Sequence, residues 1–187
     1  MSIAKAQADV RRLYRGGFYG QLVSAVVWLS SAAVAQWVST AAAVLVLFLG
    51  GTLIFPLTWL TIRLTGRPAS LPSGHPMAAL AMQIAFTVPI GLVVVVAMLS
   101  GRGELFFPAS MVIVGAHYLP FVFLYGMRMF AYLSVALVVP GVFLLSWVTV
   151  PVPLSGWITG AVLVVFAFLL RVVADSVNAK EPLTRAH

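Results

Sequence analysis

Residues 77–99 read MAALAMQIAFTVPIGLVVVVAML, a run of 23 residues without a charged side chain. About 20 apolar residues suffice for an α-helix to cross the hydrocarbon core of a bilayer, so this stretch predicts a transmembrane helix. The rest of the chain resembles it, because its 187 residues are 62% hydrophobic and only 8% charged, with a mean hydropathy of +1.09. A soluble domain of this size could not bury so much apolar surface. The sequence therefore predicts a polytopic membrane protein, with residues 1–187 forming one transmembrane domain.

Six windows of the sequence are long and apolar enough to be spans, and the connections between them are short. The predicted fold is all-α, a bundle of six transmembrane helices arranged in three antiparallel hairpins. The spans are expected at about residues 18–37, 41–62, 77–99, 106–126, 129–148 and 155–173. A cytoplasmic tail is predicted for residues 174–187. The sequence Ala33-Val34-Ala35 resembles a signal-peptidase site, but we expect the first span to be retained.

The basic residues predict the orientation of the bundle. If the N-terminus is cytoplasmic, ten of the eleven Lys and Arg residues fall on the cytoplasmic side, and only Arg102, beside Glu104, falls outside. Both termini are therefore predicted to be cytoplasmic. The positions of the basic residues indicate that the net charge of +7 sets the membrane orientation and contacts lipid headgroups. No nucleic-acid partner is therefore predicted.

Residues 1–16 carry an amphipathic pattern ahead of the first span. The apolar residues of this segment share one helical face: Ile3, Val10, Leu13 and Tyr14. The charged residues fall mainly elsewhere around the helix: Lys5, Asp9, Arg11, Arg12 and Arg15. The pattern predicts a short helix lying in the cytoplasmic interface, and a frayed charged tail is the alternative.

The motif Pro72-Ser73-Gly74-His75 resembles the middle signature of membrane-bound lipid phosphatases of the acid-phosphatase type. Covalent phosphohistidine chemistry also needs a second histidine as nucleophile and cations that hold the phosphate oxygens. No lysine lies between Lys5 and Lys180, and no later histidine follows a Ser-Arg pair. We therefore expect the motif to mark a loop before the third span, with Pro76 in the first helical turn, and His75 to be dispensable for hydrolysis.

His117 is the clearest ionisable residue in the middle of a predicted span. Ionisable groups in the hydrocarbon core are costly, so each is a functional hypothesis by default. Pro120 cannot donate to the Ala116 carbonyl, which frees that oxygen beside the histidine. We expect His117 to point into the bundle and to form a hydrogen bond there. Interhelical bonding without a ligand is the alternative interpretation.

The predicted ligand site is built around this histidine on the fourth span. On a continuous helix, Tyr118 and Tyr125 share one face, while His117 and Arg128 share another. The predicted ligand-binding residues are His117, Tyr118, Phe121, Tyr125 and Arg128. Such a site would have apolar walls and a cationic mouth, suited to a small neutral or anionic ligand. Further polar lining, or simple bonds between helices, is expected from Gln21, Gln36, Gln83, Thr52, Thr58 and Thr87.

Prolines within four spans predict interrupted helices whose freed carbonyls face a central cavity, namely Pro56, Pro89, Pro120 and Pro140. Kinked packing without a cavity is the alternative. The second and fourth spans also share a spacing, in GTLIFP (51–56) and GAHYLP (115–120), each followed by an arginine. This similarity marks either related helical hairpins or chance, because Gly and Pro are common in membrane helices.

The chain contains no cysteine, and its few carboxylates are scattered. Disulfides, thiolate catalysis and Cys-ligated metals are therefore excluded, and a zinc or haem site lacks ligands. No catalytic residue, metal ligand or cofactor is predicted. The lipid bilayer is the expected partner, together with a small-molecule ligand, and a homo-oligomer or a larger membrane complex stays open.

The segment FFPASMVIVGAHYLPFVFLYGMRMF (106–130) resembles an uncharacterised family of small bacterial integral membrane proteins. The resemblance implies a six-helix fold in the bacterial inner membrane and brings no established activity.

Three functions remain open from the sequence. The first is binding or transport of a small molecule near His117, motivated by the midspan histidine, its tyrosines and the interrupted helices. The second is a membrane-embedded enzyme acting on an apolar or lipid substrate, which is disfavoured because carboxylates are few. The third is a structural or accessory subunit.

Overall fold

The computed structural model describes residues 1–98, 101–147 and 150–180 of the chain. Within these ranges the chain forms α-helices and 3₁₀ turns and no β-strand. The helices are α1 (Ile3–Tyr14), α2 (Phe18–Trp37), α3 (Thr40–Leu64), α4 (Pro76–Met98), α5 (Phe106–His117), α6 (Leu119–Tyr125), α7 (Met129–Ser146) and α8 (Val152–Lys180). The 3₁₀ turns Arg15–Gly17 and Gly103–Leu105 lead into α2 and α5.

Within the described ranges, six segments are long and apolar enough to cross a membrane: Ile3–Trp37, Thr40–Leu64, Pro76–Met98, Gly103–Tyr125, Met129–Ser146 and Val152–Lys180. The predicted all-α fold, with six helices capable of spanning a membrane, is confirmed. The arrangement in hairpins and the side on which the termini lie stay predictions. The third and fifth spans were predicted to end at residues 99 and 148, which lie outside the described residues. Residues 181–187 of the predicted tail lie outside them as well.

The helices differ in how much of their surface faces the protein. α2 packs mainly against α8 and α3, and α5 packs mainly against α7. Large side chains such as Trp28, Phe107 and Phe130 are almost fully buried in the core between these helices. α3 and α4 expose rows of apolar side chains instead, including Phe86 at 58%. An apolar surface of this kind is what a membrane-spanning helix turns toward lipid.

A sharp bend at residues 15–17 joins α1 to α2. Arg15, Gly16 and Gly17 all have positive φ angles, of 48°, 66° and 89°. Gly16 also lies against α8, because a Cβ atom at this position would come within 2.8 Å of the Leu170 carbonyl oxygen. Glycine meets both demands of the site, positive φ and close backbone approach. The bend turns α1 back along the end of the bundle.

α1 packs onto the bundle through one side, and this differs from the predicted pattern. Its N-terminus is capped by the Ser2 hydroxyl, which accepts from the Lys5 N–H at 3.3 Å. Val10 is fully buried, as its apolar face predicts, but Arg11 is only 2% exposed as well. The expectation that Arg11 lies away from the buried face is wrong, because the guanidinium has partners in α6 and α8.

α8 continues as a helix beyond residue 173, where the last span was predicted to end. Ala174 is buried and the Asn178 side chain contacts Arg11, so the helix up to Lys180 takes part in the packing of α1. The first residues of the predicted tail therefore form an ordered helical end.

Candidate ligand site

The fourth span is divided into two helices at Tyr118. Pro120 has no N–H, and the chain makes tighter bonds here, from Tyr118 N to the Gly115 carbonyl at 3.2 Å and from Phe121 N to the Tyr118 carbonyl at 3.1 Å. α6 then begins with proline in its first turn, a position that proline favours. The interruption predicted at Pro120 is therefore present, and it lies beside His117.

The short helix α6 ends at Gly126, which adopts a left-handed conformation with φ 63°. The Met127 N–H returns to the Val122 carbonyl at 3.1 Å, as in a Schellman ending. Two further carbonyl oxygens at this helix end accept hydrogen bonds from side chains of α1. Gln7 Nε2 donates to the Phe123 oxygen at 2.6 Å, and Arg11 Nη1 donates to the Tyr125 oxygen at 2.8 Å.

A cavity of about 390 Å³ lies between α2, α3, α4 and the divided fourth span. Its walls are mainly apolar and aromatic, and they include Trp28, Leu47, Phe55, Met82 and Leu92. Among the described residues that line it, none carries a formal charge. The volume falls within the range of small-molecule sites, about 300–1,000 Å³. The cavity is therefore the candidate ligand site.

His117 lines this cavity and is held by α4. Its Nδ1 lies 2.7 Å from the Thr87 hydroxyl oxygen, and that hydroxyl is also 2.7 Å from the Ile84 carbonyl oxygen. Since a hydroxyl has one hydrogen, the arrangement that satisfies both contacts has Thr87 donating to Ile84 and accepting from His117 Nδ1–H. In the neutral ring this leaves Nε2 as a hydrogen-bond acceptor. The expected hydrogen bond of His117 to a neighbouring span is found.

Aromatic rings fix the orientation of the residues around the histidine. The His117 ring meets Phe121 edge to face at a centroid distance of 4.9 Å and meets Tyr118 at 5.5 Å. Phe130 of α7 stacks on Tyr118 at 6.3 Å and packs against Tyr125 at 4.9 Å. These contacts tie both halves of the broken span to α7, so this wall of the cavity is built from interlocked rings.

α2 and α3 contribute to the lining two polar atoms without a hydrogen-bond partner among the described residues. Gln21 Oε1 of α2 and Thr58 Oγ1 of α3 are buried and have no hydrogen-bond partner among the described residues. Both residues line the cavity, and the Tyr118 hydroxyl lies within reach of Gln21 and Ser24. A buried polar group without a partner costs about 1–3 kcal/mol, so these oxygens are suited to a donor brought by a ligand.

Tyr14 adds a hydroxyl from α1 at the end of the cavity that carries the N-terminal helix. A tyrosine hydroxyl is protonated and neutral at physiological pH and can both donate and accept a hydrogen bond. The residue is therefore available as a neutral hydrogen-bonding group.

Two of the four predicted interruptions contribute to the walls without dividing their helices. Pro56 lies inside α3 and Pro89 inside α4, and both line the cavity. Each proline leaves the carbonyl four residues earlier without its helical donor, at Thr52 and Ala85, and these two residues also line the cavity. Pro140 lies inside α7 and is not among the lining residues.

The cavity reaches the surface sideways between α3 and α4. Four of its lining side chains are also exposed on the apolar outer surface, namely Phe55, Trp59, Met82 and Phe86 at 50, 38, 48 and 58%. α3 packs mainly against α2 and only lightly against α4, so few contacts close this side. The opening faces the region that an apolar helix surface turns toward lipid.

The structure brings four of the five predicted ligand-binding residues together. His117, Tyr118, Phe121 and Tyr125 all line the cavity. Arg128 does not line it, because the chain turns at Gly126 and leaves the arginine exposed ahead of α7. The expected cationic mouth at Arg128 is therefore absent from the described lining.

Of the further polar residues expected from the sequence, some line the cavity and others contact neighbouring helices. Gln21, Thr52 and Thr58 line the cavity, and Thr87 holds His117. Gln36 instead accepts from the Trp157 indole at 2.8 Å, which makes it an interhelical contact. Sequence reasoning did not assign the cavity residues Trp28, Trp59 and Tyr14 to the site, because aromatic residues on a membrane helix carry no local sign that separates a wall from a packed core.

His75 lies away from the cavity lining, at the start of α4. Its Nδ1 accepts from the Met77 N–H at 3.2 Å, which caps the helix, and its Nε2 lies 3.7 Å from Asp9 Oδ2 of α1. The residue is 8% exposed, and α4 begins with Pro76 as expected. Its contacts are those of a capping residue between two helices. Among the described residues, no group of three His, Cys, Asp or Glu side chains is placed to hold a metal ion.

Comparison with known families identifies a match over nearly the whole chain. The family of unknown function DUF7010 matches residues 3–173, and the chain belongs to it. No curated protein matches the chain. No solved structure matches it either.

Proposed function

We propose that this member of a family of unknown function binds a small, neutral and mostly apolar molecule in the cavity beside His117. The observation that carries the proposal is a cavity of about 390 Å³ lined by a fixed imidazole and by two buried oxygens without a hydrogen-bond partner among the described residues. Apolar walls with a few convergent polar groups are typical of sites that bind small molecules.

The composition of the lining supports one class of ligand over others. A charged ligand would lose its hydration without gaining a counter-ion from the described lining residues, which is costly in an apolar site. A neutral ligand with a hydroxyl or amide donor can bond to Gln21 Oε1, Thr58 Oγ1 or His117 Nε2. The sequence-based expectation of a neutral or anionic ligand is thereby narrowed to a neutral one.

The side opening between α3 and α4 supports entry from the bilayer. A molecule that partitions into lipid reaches exposed Phe55 and Phe86 before it reaches His117. We propose that the ligand is a membrane-soluble compound of this kind, held or carried by an inner-membrane protein with both termini in the cytoplasm. An enzyme acting on such a compound is less well supported, because the described lining offers an imidazole and no carboxylate.

Native mass spectrometry of the purified protein, released from mild detergent, tests the proposal directly. We expect a co-purified small molecule on the wild-type chain and a loss of most of it in His117→Ala and in Ala85→Phe. The first change removes the polar anchor, and the second fills the cavity from α4.

Ala161→Phe is the matched control, because Ala161 is exposed on α8 and does not line the cavity. It should retain the bound molecule at the wild-type level. Equal occupancy in Ala85→Phe and Ala161→Phe would contradict the proposal, provided that both variants elute as folded protein from size exclusion.

A further inference from the structure

A second, smaller pocket of about 150 Å³ lies at the end of the bundle that carries α1. Its lining comes from α1, the bend after it, the loop after α3 and the end of α8: Arg11, Arg12, Arg15, Arg67, Asp175 and Asn178. This pocket, which we call the basic pocket, shares none of its lining with the cavity beside His117. It does not depend on the function proposed for that cavity.

Four guanidinium groups and one carboxylate line the basic pocket. Like charges gathered in one concavity repel one another, and an anion placed between them removes that cost. Guanidinium groups present planar pairs of N–H donors that match phosphate oxygens. The charge balance and the donor geometry therefore favour a phosphate-bearing anion.

Hydrogen bonds hold two of the four guanidinium groups in place, those of Arg11 and Arg67. Arg11 is 2% exposed, and its Nε donates to Asn178 Oδ1 at 3.2 Å. Arg67 reaches across from the loop after α3, where its Nη2 donates to the Arg12 carbonyl oxygen at 3.2 Å. Residues that are far apart in sequence are thus tied to one pocket, which is how a preformed binding site differs from a mobile surface cluster.

Arg15 stands where glycine would be expected. It has φ 48° and is the one non-glycine residue with positive φ among residues 1–98, 101–147 and 150–180. A left-handed conformation is unfavourable for an L-residue with a long side chain, and helix ends of this type usually carry glycine. Backbone strain of this kind is kept where a side chain has a use, and the side chain of Arg15 lines the basic pocket.

We propose that the basic pocket binds the phosphate of an anion at the membrane surface, either an anionic phospholipid headgroup or free phosphate. Since a water molecule occupies about 30 Å³ in the liquid, the pocket has room for several groups of that size. Its place at the end of the membrane-spanning helices is where basic pockets meet lipid headgroups.

The thermal unfolding of the full chain in nanodiscs tests this proposal. In discs of phosphatidylcholine with added phosphatidylglycerol, the wild-type Tm should rise relative to pure phosphatidylcholine. Arg12→Gln should lose most of this rise. Arg15→Gly should lose it too, while its Tm in pure phosphatidylcholine stays at or above the wild-type value, since glycine relieves the positive φ.

Lys5→Gln is the matched control, because it removes one positive charge from the same helix at an exposed residue outside the pocket. It should keep the full rise in Tm. A second arm adds inorganic phosphate to pure phosphatidylcholine discs. A rise there with the same dependence on Arg12 and Arg15 assigns the site to free phosphate, whereas a rise only with phosphatidylglycerol assigns it to a lipid headgroup.

Two outcomes overturn the proposal. One is the absence of any rise in Tm with either anion. The other is a rise that Lys5→Gln lowers as much as Arg12→Gln, or that all the variants retain, because the effect would then be one of overall charge and not of the basic pocket.

Discussion

The second span is one continuous helix, α3, whereas the fourth is divided into α5 and α6, although each has a proline five residues after a glycine. The two spans also differ in their surroundings. In an apolar stretch of 18 residues, 11% of α3 is buried inside the protein, compared with 44% of the fourth span. α3 continues as one helix through Pro56. The fourth span is interrupted at Tyr118, where tighter backbone bonds replace helical ones, and side chains from α1 bond to the carbonyls at the end of α6.

The largest difference in stability between the two spans should come from replacing the arginine that contacts the end of each span. Arg11→Met removes the donor to the Tyr125 carbonyl and leaves that oxygen buried, so the free energy of unfolding should fall by about 3 kcal/mol. Arg63→Met, at the exposed end of α3, removes a contact with the Trp59 ring and should cost less than about 1 kcal/mol. Unfolding by SDS in mixed micelles measures both, and equal losses would mean that the contact from α1 does not stabilise the end of the fourth span.

The glycines that precede the two prolines should respond in opposite ways. A Cβ atom at Gly115 would lie 2.9 Å from Leu137 Cβ and 3.0 Å from the Val138 backbone nitrogen, so Gly115→Ala should destabilise by about 1–3 kcal/mol. At Gly51 the nearest atom is Leu92 Cδ1 at 3.3 Å, the end of a flexible side chain. Gly51→Ala should therefore be neutral or stabilising by up to about 1 kcal/mol. The same unfolding assay decides, and a loss at Gly51 as large as that at Gly115 would refute the difference in packing.

The smallest effects, again of opposite sign, are expected at the prolines themselves. Pro56→Ala restores a backbone hydrogen bond inside a continuous helix and should stabilise by about 1 kcal/mol. Pro120 occupies the first turn of α6, where its fixed φ is favourable, so Pro120→Ala should destabilise by about 0.5–1 kcal/mol. Hydrogen exchange at residues 116–121 provides an independent measurement. Stabilisation by Pro120→Ala, with slower exchange there, would mean that the break is imposed by the proline alone.

The six spans were predictable because apolar length is a local property of the sequence, and the break near His117 was predictable because Pro120 lacks an N–H. The placement of Arg128 was not. Its spacing of eleven residues from His117 defines a shared face only on an unbroken helix, and the helix is interrupted at Tyr118 and ends at Gly126. The ending at Gly126 is a left-handed glycine cap with a local bond from the Met127 N–H to the Val122 carbonyl, and a helical period continued from His117 to Arg128 passes over it.

The burial of Arg11 could not be predicted from the sequence for a related reason. A charged residue on an amphipathic helix is ordinarily assigned to water, and its burial is favourable only when distant partners satisfy it. Those partners are the Tyr125 carbonyl and Asn178, at sequence separations of 114 and 167 residues. The predicted residues Tyr118, Phe121 and Tyr125 reached the cavity because they lie within one or two turns of His117, where local geometry still applies.

The docking of α1 has a consequence for the order in which the protein is made. α1 leaves the ribosome before α6, because the α6 carbonyls to which it bonds follow more than a hundred residues later, and at about 5–20 residues per second this is a delay of several seconds or more. During that interval the guanidinium of Arg11 must stay in water or among headgroups while the membrane receives spans one to four. α1, although synthesised before the helices it contacts, is thus among the last to reach its native position, and its docking completes the bundle at that end.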